Sequence, residues 1–519
     1  MRSNVFFGLW LAGVCALPVI ATAAEIPTTA SDQTPPARIE FDFADVNRRA
    51  QELAAKPFDA DRPELPEEFR GLDYDQYRDI RFREPRTLWR DEGLPFQTQL
   101  FHRGFIFPER VRIHVVDQGS ATPLQFTSDF FDYGKNAVPP QISPELGFAG
   151  FKLLYPLHRD DKMDEVAVFL GATYFRAIGQ NQNYGISARG LAIDTGLPTQ
   201  EEFPLFREFW IEKPSRDATE LTLYALMDSR RAAGAYRFIV RPGMQTAIEV
   251  KARVYMREPV AKFGIAPLTS MFFHGKTTER HVDDFRPEVH DSDGLIVETG
   301  GGERIWRPLV NPRGLRISQL QVTDPRGFGL LQRERDFDQY QDLEARYHTR
   351  PSAWVEPVGK WGRGAVELVE IPSGADRYDN IVAYWVPERL TAAGQEREFE
   401  YVLRLALDPE ARLQGGRAVA TRVGGGGTDQ PDPKLRKFVI DFTGEALRRF
   451  GPDTQIEAMV GATAGKVLSP VAQYNPYTKG WRAFFELEPD GDGPVDLRCF
   501  LRVGQDVLTE TWSYQWIRN

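Results

Sequence analysis

Residues 221–255 have the sequence LTLYALMDSRRAAGAYRFIVRPGMQTAIEVKARVY, and this stretch decides the fold class. Three runs of alternating, β-branched or aromatic residues, at 221–227, 236–240 and 247–255, are typical of strands. Short segments with Gly, Pro or charged residues separate the runs and favour turns. A fourth run, FEYVLRLA at 399–406, has the same character. The pattern therefore predicts β-strands throughout this part of the chain.

Outward from this stretch, strand-like runs dominate and long amphipathic helices are few. Gly and Pro are frequent, with 44 and 37 residues, and they punctuate the runs as turns do between short strands. One segment, residues 45–55, has its apolar residues at helical spacing. We therefore predict an all-β fold built on a β-sandwich, and not an α/β fold.

A chain of 519 residues is too long for one core, which favours two domains. The clearest boundary is rich in Gly and Pro and lies between Leu407 and Lys434. We predict a large β-sandwich domain at 37–408, a flexible linker or lid at 409–434 and a small domain at 435–519. The small domain suits an immunoglobulin-like sandwich because it contains short, closely spaced strand-like runs, at 437–442, 456–460, 481–487 and 495–503.

The first residues predict export from the cytoplasm. One early arginine precedes an apolar stretch at 5–20, and small residues follow at 21–23, as in a cleavable secretory signal. A membrane anchor is the alternative, but Pro18 and the short span disfavour it. We therefore predict a signal peptide at 1–23, a flexible leader at 24–36 and a periplasmic mature protein.

Composition excludes several classes of function. The formal net charge of −10 disfavours binding to nucleic acids, whereas a neutral polymer such as a glucan needs no basic surface. The seven histidines are scattered without the spacing of zinc hydrolases, so we predict no metal and no cofactor. Cys15 and Cys499 are the two cysteines, and loss of the signal leaves one, which excludes an intrachain disulfide.

Two acidic motifs are candidates for catalysis. In DRYDNIVAYW, residues 376–385, Asp376 and Asp379 stand just before an apolar, aromatic run. A carboxyl group in such a partly desolvated setting has a raised pKa and can hold a proton near neutral pH, as cleavage of a glycosidic bond requires. In HDSDG, residues 290–294, His290 and two carboxylates lie close to Glu288. A role in a site and a satisfied turn are both open for this second motif.

Aromatic and charged residues are dense between residues 303 and 385. Sugar rings stack on aromatic side chains while Arg and Asp bind hydroxyls, so a long sugar-binding groove would use these residue types. The alternatives are core packing for each ring and an ion-paired surface for the charges. The candidate substrate-binding residues are Trp306, Arg307, Arg333, Arg335, Tyr347, Trp354, Trp361 and Tyr384.

Several long motifs closely resemble the osmoregulated periplasmic glucan biosynthesis protein G/D family, over about residues 38 to 516. They are LGFAGFK (146–152), YGISARGLAID (184–194), EEFP (201–204), PLTSM (267–271), GFGLLQR (327–333), RDF (335–337), RPSAWV (350–355), VELVEIP (366–372), DNIVAYW (379–385) and TETWSY (509–514).

The resemblance implies a large N-terminal sandwich of the galactose-mutarotase-like kind and a small immunoglobulin-like domain. It also implies action on the β-1,2-glucan backbone, as an anomer-inverting glucanase or as a transglycosylase that closes the glucan into a ring. The family's general acid falls on Asp379 and its general base on Asp291, which acts directly or through a relay. Asp376 and His290 would then have supporting roles.

A second hypothesis is a non-catalytic protein that binds the glucan and assists its export or branching. It predicts binding of β-1,2-glucan without new reducing ends. A carboxylate pair flanking a closed groove favours catalysis, and an open groove without such a pair favours binding. A lid from residues 415–434, supplied by the chain itself or by the partner in a homodimer, would also favour catalysis because it would exclude water.

Overall fold

In a computed structural model, Phe41–Asn519 form one compact unit. The described residues are 40–60, 64–139, 141–276, 283–389, 391–410, 415–427 and 430–518. The predicted signal peptide and leader lie outside them. The protein is nearly all β, with 49% strand and 9% helix, which confirms the predicted fold class.

Three α-helices occur within the described residues: α1 (Phe43–Ala54), α2 (Tyr74–Asp79) and α3 (Glu445–Arg448). Helix α1 coincides with the predicted helical segment, and Asp42 caps its first turn by accepting a hydrogen bond from the Ala44 amide at 2.7 Å. Six short 3-10 helices lie at Glu67–Phe69, Glu84–Arg86, Ser128–Phe130, Pro144–Leu146, Phe337–Gln339 and Tyr347–Thr349. None of the helices in these residues has the length and apolar character needed to cross a membrane.

The strands fall into two lists. Those of the first 260 residues are β1 (Arg81–Phe82), β2 (Gln97–Phe101), β3 (Arg112–Asp117), β4 (Ser120–Pro123), β5 (Phe131–Asp132), β6 (Gly150–Arg159), β7 (Lys162–Leu170), β8 (Tyr174–Ala177), β9 (Ser187–Arg189), β10 (Ala192–Ile193), β11 (Leu205–Glu212), β12 (Leu221–Asp228), β13 (Ala232–Arg241) and β14 (Thr246–Met256). The remainder are β15 (Phe263–Ser270), β16 (Phe272–His274), β17 (Val289–His290), β18 (Gly294–Glu298), β19 (Arg304–Pro308), β20 (Arg316–Thr323), β21 (Gly327–Leu331), β22 (Ser352–Pro357), β23 (Arg363–Glu370), β24 (Ile381–Pro387), β25 (Glu396–Ala406), β26 (Arg417–Gly426), β27 (Asp432–Thr443), β28 (Glu457–Ala462), β29 (Lys466–Asn475), β30 (Gly480–Glu488), β31 (Val495–Val503), β32 (Asp506–Val507) and β33 (Thr511–Trp516).

Two large sheets form the main sandwich. One has ten strands in the order β2-β6-β7-β8-β9-β15-β24-β23-β20, with β10 paired to β15. The other has 15 strands, and its centre is the run β22-β25-β14-β13-β12-β11. The decisive stretch 221–255 forms β12, β13 and β14, which pair antiparallel in sequence order. Strand β14 alternates buried and half-buried residues along its whole length, as expected of a strand with one face on the core.

The main core lies between these sheets. Aromatic rings from both sides meet in it: Phe151 contacts Phe209 at 4.9 Å, and Phe169 contacts Phe238 at 5.3 Å between ring centroids. The first ring of each pair belongs to the ten-stranded sheet and the second to the 15-stranded sheet. Such edge-to-face pairs add to the hydrophobic gain from burial.

The C-terminal strands extend the larger sheet and add a separate one. Strand β33 pairs in parallel with β19, so β33, β31 and β28 continue the 15-stranded sheet. Strands β26, β27, β30 and β29 form a four-stranded sheet, and a second core includes Phe438, Trp481 and Trp512 together with Trp306. The runs predicted at 437–442, 481–487 and 495–503 lie in β27, β30 and β31. The domain boundaries and the immunoglobulin-like assignment stay predictions.

The glycine-rich segment predicted as a linker or lid contains a long strand. Strand β26 pairs with β27, and Gly424 and Gly425 lie opposite Lys437 and Arg436. Glycine accepts extended backbone angles as readily as turn angles, so the partner strand decides its conformation. Within the described part of 409–434, the chain is therefore largely sheet.

Candidate active site

The predicted base, Asp291, follows β17 and lies beside residues 270–272. Its backbone amide donates a hydrogen bond to the carbonyl oxygen of Met271 at 2.8 Å. The next residue, Ser292, shares a hydroxyl–hydroxyl hydrogen bond of 2.7 Å with Ser270. Both contacts are buried, and the Asp291 residue is only 3% exposed.

The predicted acid, Asp379, is next in sequence to a residue that contacts the same segment, 270–272. It precedes β24, and the next residue, Asn380, anchors the turn. The Asn380 amide donates to the Ser270 carbonyl at 3.1 Å, and its side chain both accepts from the Phe272 amide at 2.8 Å and donates to the Phe272 carbonyl at 3.0 Å. Residues 270–272 therefore hold the backbone at or next to two carboxylates that are far apart in the sequence.

The two carboxylates differ in their surroundings. The Asp379 side chain is 34% exposed, and the guanidinium of Arg176 lies 3.9 Å from its Oδ2. Asp291 is buried, and its Oδ1 contacts Nη1 of Arg350. Burial raises the pKa of Asp291, Arg350 opposes that shift, and the negative charge of Asp379 adds to it. The charge of Asp379 therefore affects the protonation of Asp291.

Arg350 is held in place by contacts within the protein. Its guanidinium carbon lies 4.4 Å from the centre of the Tyr347 ring, and its Nε donates to the Ala345 carbonyl at 3.2 Å. Gly185 makes room for the side chain, because a Cβ at that position would lie 2.9 Å from the Cβ of Arg350. Arg350 stands in the motif RPSAWV, but neither its contact with Asp291 nor that of Arg176 with Asp379 could be predicted from the sequence.

Asp376 belongs to an ion cluster centred on Arg286. The Arg286 guanidinium donates to Asp376 at 2.9 Å, to Asp342 at 2.9 Å and to Asp284 at 2.7 Å. The hydrogen bond from Arg286 lowers the pKa of Asp284 to about 2. Tyr347 adds a longer hydrogen bond to Asp376, at 3.4 Å. The cluster ties the loop that carries Asp379 to two other loops.

His290 is completely buried beside Asp291. Its ring stacks on Phe272 at 5.2 Å, its Nε2 lies 3.0 Å from Glu288 and its Nδ1 lies 2.7 Å from Gln332. Burial alone lowers the pKa of His290, but the hydrogen bond and charge of Glu288 outweigh it and raise the pKa above its ordinary value. Within the described residues, no group of three or more His, Cys, Asp or Glu could hold a metal ion.

Several predicted sugar-binding residues have other partners. Trp306 is buried in the second core, and the Arg333 guanidinium lies 3.6 Å from the centre of its ring. Arg333 also forms salt bridges with Glu410 at 2.9 Å and with Glu510 at 2.7 Å. Each of these charges is almost wholly buried. The environment is that of a packed ion network and not of an open groove.

The remaining predicted substrate-binding residues are buried, packed on one of the two cores or in contact with the ion cluster around Arg286. Arg307 is buried and donates to Ser318 at 2.8 Å, and Arg335 donates to the Leu407 carbonyl at 2.7 Å. Tyr384 is fully buried and donates to the Thr195 carbonyl at 3.0 Å. The half-buried indoles pack on the two cores, Trp361 on the main one and Trp354 on the second. Of the eight predicted substrate-binding residues, Tyr347 is the one that contacts the ion cluster around Arg286, through its hydrogen bond to Asp376.

Comparison with known proteins places the chain in a family. The family of the periplasmic glucan biosynthesis protein MdoG matches residues 41–516. The chain belongs to this family. A relative named glucans biosynthesis protein G, from Ralstonia nicotianae, is 50% identical over 92% of this chain and 96% of its own length.

Two further relatives of the periplasmic glucan biosynthesis family carry the same name. The protein from Rhodopseudomonas palustris is 44% identical over 98% of both chains. The protein from Sodalis glossinidius is 46% identical over 91% of this chain and 92% of its own. The predicted family is therefore confirmed.

One solved structure also matches, at a much lower level. It is a galactose mutarotase related enzyme from Lactobacillus acidophilus, 8% identical, with a TM-score of 0.19, covering 50% of this chain and 94% of its own. Similarity of this size is too low to support an inference. The galactose-mutarotase-like character of the larger sandwich stays a prediction.

Proposed function

We propose that this member of the periplasmic glucan biosynthesis family is a periplasmic enzyme that acts on the β-1,2-glucan backbone, as an inverting hydrolase or as a transglycosylase. The observation that carries the proposal is the pair Asp291 and Asp379. Residues 270–272 hold the backbone of Asp291 and of Asn380, the neighbour of Asp379, and each carboxylate has an arginine beside it. Paired carboxyl groups are what cleavage of a glycosidic bond uses as acid and base.

The reaction would begin with a proton on Asp379. As the bond from the anomeric carbon breaks, Asp379 gives this proton to the leaving glycosidic oxygen. A water attacks the anomeric carbon from the opposite face and loses a proton to Asp291, directly or through a relay. In transglycosylation a glucose hydroxyl takes the place of the water. Transfer of the proton from Asp291 back to Asp379, through solvent, restores the starting state.

The surroundings of the two carboxyl groups bear on this division of roles. Burial, and to a lesser extent the charge of Asp379, raises the pKa of Asp291, so a base at this position needs a positive charge beside it. Arg350 contacts the Asp291 carboxylate and lowers its pKa against the effect of burial, which favours the ionised form that a base requires. Asp379 is the more exposed of the two, so a bound sugar can reach it.

The direct test is incubation of the purified mature protein with linear β-1,2-glucan, followed by mass spectrometry of the products. A hydrolase yields shorter linear chains, and a cyclising transglycosylase yields rings that lack one water relative to linear chains of equal length. Binding of the glucan with no change in chain length would contradict the proposed catalysis and favour the non-catalytic alternative. NMR of the first-formed anomer would identify inversion.

Arg350 gives a prediction about pH. Replacing Arg350 with methionine removes the positive charge that lowers the pKa of Asp291, so that pKa should rise further. Because Asp291 must be ionised to accept a proton, activity should be lost at a higher pH as the medium is acidified. We expect the acidic limb of the kcat/KM profile to move up by about one pH unit or more.

The control for this experiment is Arg350→Lys, which keeps the charge and should shift the limb less. The alkaline limb should move little in both variants, because the carboxylate that Arg350 contacts is that of Asp291. An acidic limb that stays in place in Arg350→Met, or moves down, would exclude Asp291 as the group that titrates there.

A further inference from the structure

Phe203 is an exposed aromatic residue on a firmly held segment. The residue is 47% exposed. Its neighbour Glu201 accepts hydrogen bonds from Arg189 at 2.7 Å and from the Thr195 hydroxyl at 2.6 Å. Glu202, which directly precedes Phe203, accepts a hydrogen bond from the Arg231 side chain at 2.7 Å. The ring is therefore presented to solvent by an anchored backbone.

One face of the Phe203 ring is already occupied. The guanidinium carbon of Arg189 lies 5.3 Å from the centre of this ring and 4.9 Å from the centre of the Tyr174 ring. Arg189 itself is buried, and its Nε donates to the Thr269 hydroxyl at 2.9 Å. Tyr174, Arg189 and Phe203 thus form a stack, and the exposed fraction of Phe203 leaves its outer part open to a ligand.

This stack is connected to the candidate active site through the sheet. Tyr174 on β8 pairs with Arg189 on β9, and β9 is followed in the sheet by β15 and β24, which begins just after Asp379. Two strand spacings separate β9 from β24, about 10 Å in all. Arg176, two residues after Tyr174, lies beside Asp379, and the charge of Asp379 contributes to the raised pKa of Tyr174, whose main cause is burial.

We propose that Phe203 is a stacking platform for a glucose ring of the glucan, in a subsite on the Arg176 side of Asp379; this rests on the proposed function. A pyranose ring presents an apolar face of C–H groups and a polar rim of hydroxyls. The apolar face fits the open part of the Phe203 ring. Arg176 and Glu201, which are both near enough to Tyr174 for their charges to affect its pKa, supply polar groups for the rim. A cation behind an aromatic ring fixes the ring and leaves the other face free.

The competing explanation is that Phe203 only shields the ion pair of Arg189 and Glu201 from water. The two explanations differ in what they require of the side chain. Shielding needs apolar bulk, which leucine supplies. Stacking needs a flat aromatic face, which tyrosine keeps and leucine lacks.

The experiment measures binding of linear β-1,2-glucan by calorimetry to the full mature chain carrying Asp379→Asn, so that the ligand is not consumed. Phe203→Ala and Phe203→Leu should weaken binding about 3–10-fold, and Phe203→Tyr should stay close to the parent. In the active protein, Phe203→Leu should raise KM by a larger factor than it lowers kcat. Thermal unfolding of each variant reports on folding separately.

The matched control is Tyr477→Ala, because Tyr477 is 95% exposed in a turn between β29 and β30 and should leave binding unchanged. Parent-like affinity in both Phe203→Ala and Phe203→Leu would overturn the platform while leaving the proposed function intact. Loss in the alanine variant with full affinity in the leucine variant would favour shielding and also overturn it. Failure of the Asp379→Asn parent to bind the glucan would overturn both proposals.

Discussion

Asp379→Asn is expected to lower the rate of β-1,2-glucan cleavage by about 10²–10⁴-fold, the usual contribution of a positioned general acid. Asparagine has nearly the same shape as aspartate but has no ionisable proton to give to the leaving oxygen. The turn should be retained, because it is anchored by Asn380 and not by the Asp379 side chain. Release of oligosaccharide per unit time, measured by mass spectrometry, is the readout.

The matched control for this substitution lies three residues away. Asp376→Asn makes the same chemical change in the same loop, but Asp376 is paired with Arg286 and Tyr347. We expect it to retain much more activity than Asp379→Asn, with any loss arising from a looser loop. Equal loss of activity in the two variants would contradict the assignment of different roles to Asp379 and Asp376. Full activity in Asp379→Asn would exclude Asp379 as the general acid.

Asp291→Asn tests the other half of the pair. It should also lose most activity, since no carboxylate then accepts a proton from the attacking group. If Asp291 acts through a relay, the loss should be incomplete, because other groups can receive the proton more slowly. Comparison of the two asparagine variants under identical conditions therefore separates a direct base from a relayed one.

The strands could be predicted from the sequence because their pattern is local. Alternation in residues 247–255 requires only that one face of the strand be buried, and β14 has that arrangement. Strand β26 could not be predicted in this way. Its three consecutive glycines have no side chains to alternate, and its extended conformation depends on pairing with β27.

The candidate site was predictable only in part, for a related reason. Asp291 and Asp379 stand in distinctive motifs, whereas the arginines beside them are recognised only when distant strands come together. Arg350 is 59 residues from Asp291 in the chain. Composition also cannot separate rings and charges that line a groove from those that pack inside, and Trp306, Arg333 and Tyr384 are packed inside.

Arg333→Met is expected to destabilise the protein by about 3–5 kcal/mol, the usual cost of removing one partner from a buried ion pair. Glu410 and Glu510 would be left buried without the guanidinium that each now contacts through two hydrogen bonds. Arg304, which also reaches both carboxylates, would offset part of the loss. The free energy of unfolding, obtained from urea titration, is the measurement.

The effect should depend on pH with a definite sign. Burial on its own raises the pKa of Glu410, but Arg333 outweighs it and the pKa lies below its ordinary value. Stability from this interaction is present above the unfolded pKa and is lost as the pH falls through the folded pKa. The difference in unfolding free energy between Arg333→Met and the parent should therefore shrink as the pH is lowered towards the pKa of the carboxyl groups.

Two further variants make the Arg333 prediction decisive. Arg326→Met removes an exposed arginine whose partner is Glu298, at 3.5 Å, and should change stability by no more than about 0.5 kcal/mol. Combining Arg333→Met with Glu410→Gln and Glu510→Gln should recover part of the lost stability, because the uncompensated charges are then absent. If Arg333 instead binds sugar hydroxyls in an open groove, Arg333→Met should weaken glucan binding and leave the unfolding free energy close to that of Arg326→Met.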